Sequence, residues 1–192
     1  DGAYTGDAWA DNWFALYADE ALVVEDSVPI TTERSFNAET FSFDLETPAQ
    51  LALVLKDYKE DDTGLEYIGE DNQQMGDGGF ILQISDSSTG DLLVVSDDAW
   101  RCLVIHTAPL DPTCADDANP EETCTSEILD EPEGWKTADY DDSAWTNASE
   151  YTEADVSPKE GYDDVRWDPS AALIWGDSLT QDNTLLCRRS VG

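Results

Sequence analysis

Oxygen ligands crowd the stretch from residue 57 to residue 79. Asp57, Glu60, Asp61, Asp62, Asp71, Asn72 and Asp77 all fall there, among the glycines Gly64, Gly76, Gly78 and Gly79. Carboxylate and amide oxygens are hard donors of the kind Ca²⁺ takes, about six to eight at a time. The spacing is not that of an EF-hand. Asp57, Asp61, Asp62, Asp71 and Asp77 are the candidate ligands, with a solvated acidic loop as the competing reading. A connection this long in a compact domain is more often functional than idle.

A second chemistry is sugar recognition. It needs an aromatic face to stack on a pyranose and nearby polar groups to read its hydroxyls. Trp9, Trp135, Trp167, Tyr58, Tyr67 and Tyr162 lie outside the expected core strands. The segment Gly161-Tyr162-Asp163-Asp164-Val165-Arg166-Trp167-Asp168 brings aromatic, acidic and basic side chains close together. Tyr162, Trp167, Arg166, Asp164 and Tyr67 are the candidate sugar-binding residues. The competing reading is that these rings cover the edge of the core.

Catalysis finds little support. Ser/His/Asp chemistry would rest on the single histidine, His106, which falls among strand residues and reads as a packed or surface side chain. A glycosidase needs two carboxylates at a fixed separation, and no pair stands out. The expectation is a protein that is not an enzyme. Asn147-Ala148-Ser149 is an N-glycosylation sequon, with Asn147 as the acceptor.

The charge bounds the partners. The 192 residues carry 44 acidic against 9 basic side chains, a net charge of −35. Such a surface repels nucleic acid and anionic membranes, so neither is an expected partner, and membrane insertion is not expected. It attracts cations, and an acid-rich, lysine-poor surface suits salty or calcium-rich surroundings that screen self-repulsion. The competing reading is solubility alone. Only Lys56, Lys59, Lys136 and Lys159 are lysines. Hydrophobic residues make up 40% of the chain, which argues for a packed core and against disorder. No apolar run approaches the roughly 20 residues that span a bilayer.

Cys102, Cys114, Cys124 and Cys187 include no Cys-x-x-Cys pair. An even count, with a start at Asp1 that lacks a signal, reads as two disulfides in a mature secreted chain. Three connectivities are possible. Cys114 and Cys124 bracket one loop and are the favoured pair, which leaves Cys102 with Cys187.

The elements that must position these residues read as strands. Residues 1–10 are small and polar around Tyr4 and Trp9, an arm or an edge strand. Ala10 to Asp26 reads as two strands joined at Asp19-Glu20, with Trp13, Ala15 and Tyr17 on one face and Phe14, Leu16 and Ala18 on the other. Thr31-Thr32-Glu33-Arg34 is a connection. Residues 35–45 alternate, with Phe41, Phe43 and Leu45 on one face. Residues 49–56 look like a central strand, and 80–85 with 91–96 form a hairpin. Strand 101–106 precedes an excursion at 108–133, rich in Pro and acid and stapled by two cysteines. Residues 146–170 are irregular, and the last strands hold Leu173-Ile174-Trp175 and Thr184 to Arg189. No useful helical period occurs.

Several of these segments resemble a known family. Asp11-Asn12-Trp13-Phe14 running into Leu16-Tyr17 and Val23 resembles the entry hairpin of galactose-binding-like β-sandwich domains. Asp97-Asp98-Ala99-Trp100 and Tyr140-Asp141-Asp142-Ser143-Ala144-Trp145 resemble two of their turn motifs, and Leu173-Ile174-Trp175 with Arg188-Arg189 resembles their closing strands. The match runs from about Asp11 to Arg189 in the family's order. In the turn motifs the Asp and Ser side chains can hold tight turns, and Trp100 and Trp145 should drop into the core as anchors. The family's Asn-Gly turn is Asp19-Glu20 here, so a turn wider than two residues is expected.

The resemblance implies an all-β fold, an antiparallel jelly-roll sandwich over 11–192 with long acidic loops. It implies a non-catalytic secreted or cell-surface module that binds glycan or mediates adhesion, with a structural Ca²⁺ in a loop. Two other functions fit the same sequence. One is a structural subunit of an extracellular filament or surface assembly, joined to neighbouring protein subunits by strand exchange through residues 1–10. The other is an accessory domain of a larger glycoside hydrolase.

Overall fold

The computed structural model describes residues 2–31 and 36–192. Asp1, expected as the mature start, and residues 32–35, expected as a connection and the first residue of a strand, lie outside the described residues. The chain is all-β, with 43% of the described residues in strands and 9% in helices. Its strands are β1 (Gly2–Asp11), β2 (Trp13–Ala18), β3 (Ala21–Glu25), β4 (Ala38–Leu45), β5 (Ala49–Lys56), β6 (Leu65–Glu66), β7 (Gln74–Met75) and β8 (Gly79–Asp86). They continue as β9 (Leu92–Val95), β10 (Arg101–Thr107), β11 (Glu127–Ile128), β12 (Thr146–Asn147), β13 (Ser149–Tyr151), β14 (Leu173–Trp175) and β15 (Asp182–Val191). Among the described residues, two single-turn α-helices, α1 (Pro120–Thr123) and α2 (Glu153–Val156), and two 3₁₀ turns, Pro112–Asp116 and Tyr162–Asp164, sit in the connections.

Two antiparallel sheets form a sandwich. One runs β13-β14-β8-β1-β4, with β9 also on β8; the other runs β11-β10-β15-β5-β2-β3, with β12 also on β10. Alternation sets which face is buried. Ala8 and Ala10 of β1, Phe14 and Leu16 of β2, Leu51, Leu53 and Leu55 of β5, and Phe80, Leu82 and Ile84 of β8 meet in one core. Each fully buried large aliphatic or aromatic side chain contributes about 1.5–3 kcal/mol.

The expectation of an arm or edge strand at 1–10 is corrected. β1 pairs with β4 on one side and β8 on the other, along nearly its whole length. Its polarity is compatible with an inner position because the polar residues bond sideways. Asp7 accepts from Thr40 Oγ1 at 2.6 Å and from Gln83 Nε2 at 2.8 Å, and Thr5 bonds Ser87. Gly6 is needed for space: a Cβ there would lie 2.5 Å from the ring of Phe41.

The turn at Asp19-Glu20 is also corrected. Ala18 pairs directly with Ala21, and Asp19 (φ 45°) and Glu20 (φ 72°) both take the left-handed conformation, which makes the turn two residues long. The neighbouring strand holds it. Asp19 N donates to Gln50 O, and Asp19 Oδ1 accepts from Gln50 N at 2.9 Å.

Loops cover much of both outer faces. On the seven-stranded sheet, Trp135, Tyr140 and Trp145 pack over Ala52, Val54, Leu103 and Leu186. Arg101 and Arg188, opposite one another on β10 and β15, hold this loop. Arg188 is buried and donates to Trp135 O and Thr137 O, while Arg101 donates to the carbonyls of Asp142, Ser143 and Trp145. The Asp142 carboxylate lies 3.1 Å from Arg188 and 3.6 Å from Arg101. Trp100 joins the core between the sheets, whereas Trp145 anchors the loop outside them, a correction to its expected place. On the six-stranded sheet, Trp9, Ile81, Leu173, Val156 and Tyr162 form the matching outer cluster.

The disulfides are Cys102–Cys187 and Cys114–Cys124. The first joins directly opposed residues of β10 and β15. The second packs against Leu65 of the acidic loop, so the loop 57–79 and the stapled excursion support one another. No helix among the described residues is long and apolar enough to cross a membrane.

Candidate functional site

Four strand ends converge at one end of the sandwich. Asp11 closes β1, Asp57 follows β5, Asp77 precedes β8 and Asn183 is the second residue of β15. Asp11, Asp57 and Asp77 each place an oxygen within 4.8 Å of the others. Asp11 and Asp57 are buried, and Asp77 is partly exposed. Asp57 Oδ2 accepts from Asp77 N at 2.9 Å, which ties together the two ends of the loop 57–79. Gly76 is required by close approach, since a Cβ there would lie 2.0 Å from Asp57 Oδ2.

Lys159 enters from the irregular segment 146–170. Its Nζ lies 2.8 Å from Asp11 Oδ2 and 2.6 Å from Asp77 Oδ2. Burial works against the ammonium charge, but these two carboxylates outweigh it and hold the lysine protonated above its ordinary range. Burial pushes the Asp11 carboxyl up to about 7, helped by the charge of Asp77, and pushes Asp57 well above the usual carboxylate range. Glu66, also buried, is raised to about 7 by burial and by Asp77.

Of the five acids expected as metal ligands, the structure brings together Asp57 and Asp77. Asp61 instead accepts from the backbone N and hydroxyl of Thr63, capping its own turn. Asp62 pairs with Lys59 at 2.7 Å, and Asp71 is exposed on the loop. The set is corrected accordingly. Asp11, Asn183 and Lys159 were missed, because their proximity comes from the fold and no local spacing marks it; Glu66 was missed although it lies in the acidic loop itself.

A groove of about 400 Å³ lies on the outer face of the seven-stranded sheet. Trp13 and Tyr17 of β2 and Val54 and Lys56 of β5 line it, with Lys59 and Asp62 from the acidic loop and Ile128, Leu129, Glu131 and Lys136 from the excursion and the segment after it. Lys56 Nζ lies 5.1 Å from the Trp13 ring centre, and Lys136 Nζ 4.3 Å from that of Tyr17. Lys59 and Lys136 are matched by Asp62 and Glu131, while no carboxylate pairs with Lys56 among the described residues. Ile128 and Leu129 are 56% and 43% exposed. His106 is buried at the groove edge. Its Nε2 meets Asp62 O at 3.1 Å, so that nitrogen carries the proton, and burial and Lys59 keep the ring neutral.

The expected sugar residues divide. Tyr162 is buried edge-on against Trp9 and donates from its hydroxyl to Glu153, so it covers the core as the competing reading held. Trp167 is half-buried between two hollows of about 320 and 420 Å³, with exposed Arg166 beside the first. Asp164 is exposed in the same segment, but Tyr67 lies in the acidic loop and lines neither hollow. Asn147 is exposed, its side-chain amide donating to Asp98 O at 2.8 Å. All four lysines of the chain thus sit at the two sites, three in the groove and one in the carboxylate cluster. Among known proteins, no family model, no curated protein and no solved structure matches this chain.

Proposed function

We propose that the chain is a non-catalytic, extracellular carbohydrate-binding module and that it takes acidic sugars in the groove of the seven-stranded sheet. One observation carries the reading. Three of four lysines, in a chain of net charge −35, are gathered beside two half-buried aromatic rings and two exposed aliphatic side chains. Asp62 and Glu131 offset Lys59 and Lys136, so the groove's selectivity for an anionic ligand rests on Lys56, whose ammonium has no paired carboxylate among the described residues. The rings and Ile128 and Leu129 suit the apolar face of a pyranose, and Lys56 has a charge free to meet a carboxylate. The two disulfides accord with an oxidising, extracellular setting.

The test is isothermal titration with uronic-acid oligosaccharides and neutral oligosaccharides of equal length. The reading expects saturable binding of the acidic series that weakens as salt rises and is lost in Trp13→Ala. Binding confined to neutral sugars, and removed by Trp167→Ala instead, would move the site to the hollows of the other sheet.

A further inference from the structure

We infer that Asp11, Asp57 and Asp77, with the side-chain oxygen of Asn183, form a site for one hard divalent cation of calcium's kind. The inference stands apart from the glycan reading. Proximity of the acids is the first observation: three carboxylates place oxygens within 4.8 Å of one another. The second is independent of it. Oδ1 of Asp11, Oδ1 of Asp57 and Oδ1 of Asn183 are buried and accept no hydrogen bond from any described residue. These three residues are 0%, 3% and 0% exposed. A buried oxygen left without a donor costs about 1–3 kcal/mol, more for a charged group.

The orientation of Asn183 is fixed by its other atom. Nδ2 donates to Ala108 O and Gln181 O, both at 2.9 Å, so Oδ1 is the atom turned away from them. It faces Gly76, as Asp57 does: a Cβ on Gly76 would lie 3.3 Å from Asn183 Oδ1. Lys159 supplies one positive charge against three carboxylates and engages only Oδ2 of Asp11 and Oδ2 of Asp77. With all three carboxylates ionised, as an ion would hold them, two negative charges are left over after Lys159, the charge a divalent ion carries. All the free donors are hard oxygens with no sulfur or imidazole among them, which selects calcium over zinc or copper.

Position gives the ion a role. Asp11 and Asp77 belong to strand ends of the six-stranded sheet, Asp57 and Asn183 to ends of the seven-stranded sheet. An ion bound there ties the two sheets at one end of the sandwich and closes the root of the loop 57–79.

The experiment is calcium titration of the full chain after chelator dialysis, followed by calorimetry and by thermal unfolding against potassium chloride of matched ionic strength. One-to-one saturable binding is expected, with Kd at or below about 1 mM. Unfolding should move to higher temperature with Ca²⁺ beyond the effect of the matched salt. Asp77→Asn, at the exposed edge of the cluster, and Asp57→Asn should each weaken binding at least about tenfold, while Asp61→Asn and Asp71→Asn on the same loop leave it unchanged. Lys159→Met, which removes the competing charge, should bind more tightly, and it reads the site even if Asp57→Asn fails to fold. Equal shifts with Ca²⁺ and matched salt, no saturable binding in wild type and Lys159→Met, or equal losses in Asp61→Asn and Asp77→Asn would overturn the inference.

Discussion

Trp13 and Lys56 face one another across β2 and β5, with the ammonium 5.1 Å from the ring centre. The residues next to this pair do something different. Asn12 accepts from Tyr58 N at 2.6 Å, and Asp57 enters the carboxylate cluster, so the groove and the cluster are built from adjoining steps of the same two strand ends. The cation–π contact between these half-buried side chains contributes about 0.5–1 kcal/mol. Lys56 also lies where an incoming acidic group would meet it.

The loop carrying Trp135 and Lys136 hangs on Arg188. Removing that buried guanidinium leaves two carbonyls without their donor and the Asp142 carboxylate without its nearer cation. Arg188→Met is expected to cost about 3–5 kcal/mol in urea unfolding. It should also weaken ligand binding in the groove, because Lys136 loses its support. Asp142→Asn, which keeps the shape, should cost less.

The Asp19-Glu20 turn offers a gain. Glu20 sits at φ 72°, where an L side chain is strained by about 1–2 kcal/mol and glycine is not. Part of that returns as extra freedom of the unfolded chain. Glu20→Gly should therefore raise unfolding stability by about 0.5–1 kcal/mol, read from the urea midpoint with an unchanged slope.

Asp26 makes stability depend on pH. Burial pushes its carboxyl up to about 7, against the hydrogen bond from Val28 N and with help from Glu39. Between the unfolded value near 4 and about 7 the folded state holds the extra proton, so stability falls as pH rises through that window. Asp26→Asn should lessen the fall between pH 5 and pH 8, the rest coming from Asp11, Asp57 and Glu66, and be the more stable form at pH 8. Thermal melts of both proteins at the two pH values check this. A wild-type curve parallel to that of the variant would remove Asp26 as the cause.

The disulfides should differ in weight. Cys102–Cys187 closes 85 residues of chain and Cys114–Cys124 only 10. By loop entropy the first stabilises by about 4–5 kcal/mol and the second by about 3. Paired replacement by Ala, measured by denaturant unfolding, should reproduce that order. Loss of the second should also loosen the acidic loop, because Leu65 and Gln73 rest on that excursion.

Much of the architecture was legible in the residues. The alternation of Leu51, Leu53 and Leu55 and the run at 80–85 gave strands at their true places, and the loop bracketed by Cys114 and Cys124 gave its disulfide. A strand at the start was one of two readings, but the inner position of β1 was not legible, because its polar row is satisfied sideways by Thr40, Gln83 and Ser87, partners far away in sequence. The metal-ligand set was half legible for the same reason. Asp57 and Asp77 frame a visibly acidic loop, but Asp11 and Asn183 reach it only through the order of strands in two sheets. The groove went unread because its lysines are scattered along the sequence and gather only across β5, the acidic loop and the segment after the excursion.

The most direct measurement is calorimetric titration of wild type, Trp13→Ala and Lys56→Met with a uronic-acid oligosaccharide at two salt concentrations. The account predicts saturable wild-type binding that weakens with salt, at least a tenfold loss in Trp13→Ala, and a smaller, salt-insensitive residual affinity in Lys56→Met. Wild-type binding that neither variant changes, or no binding of the acidic sugar at all, would contradict it.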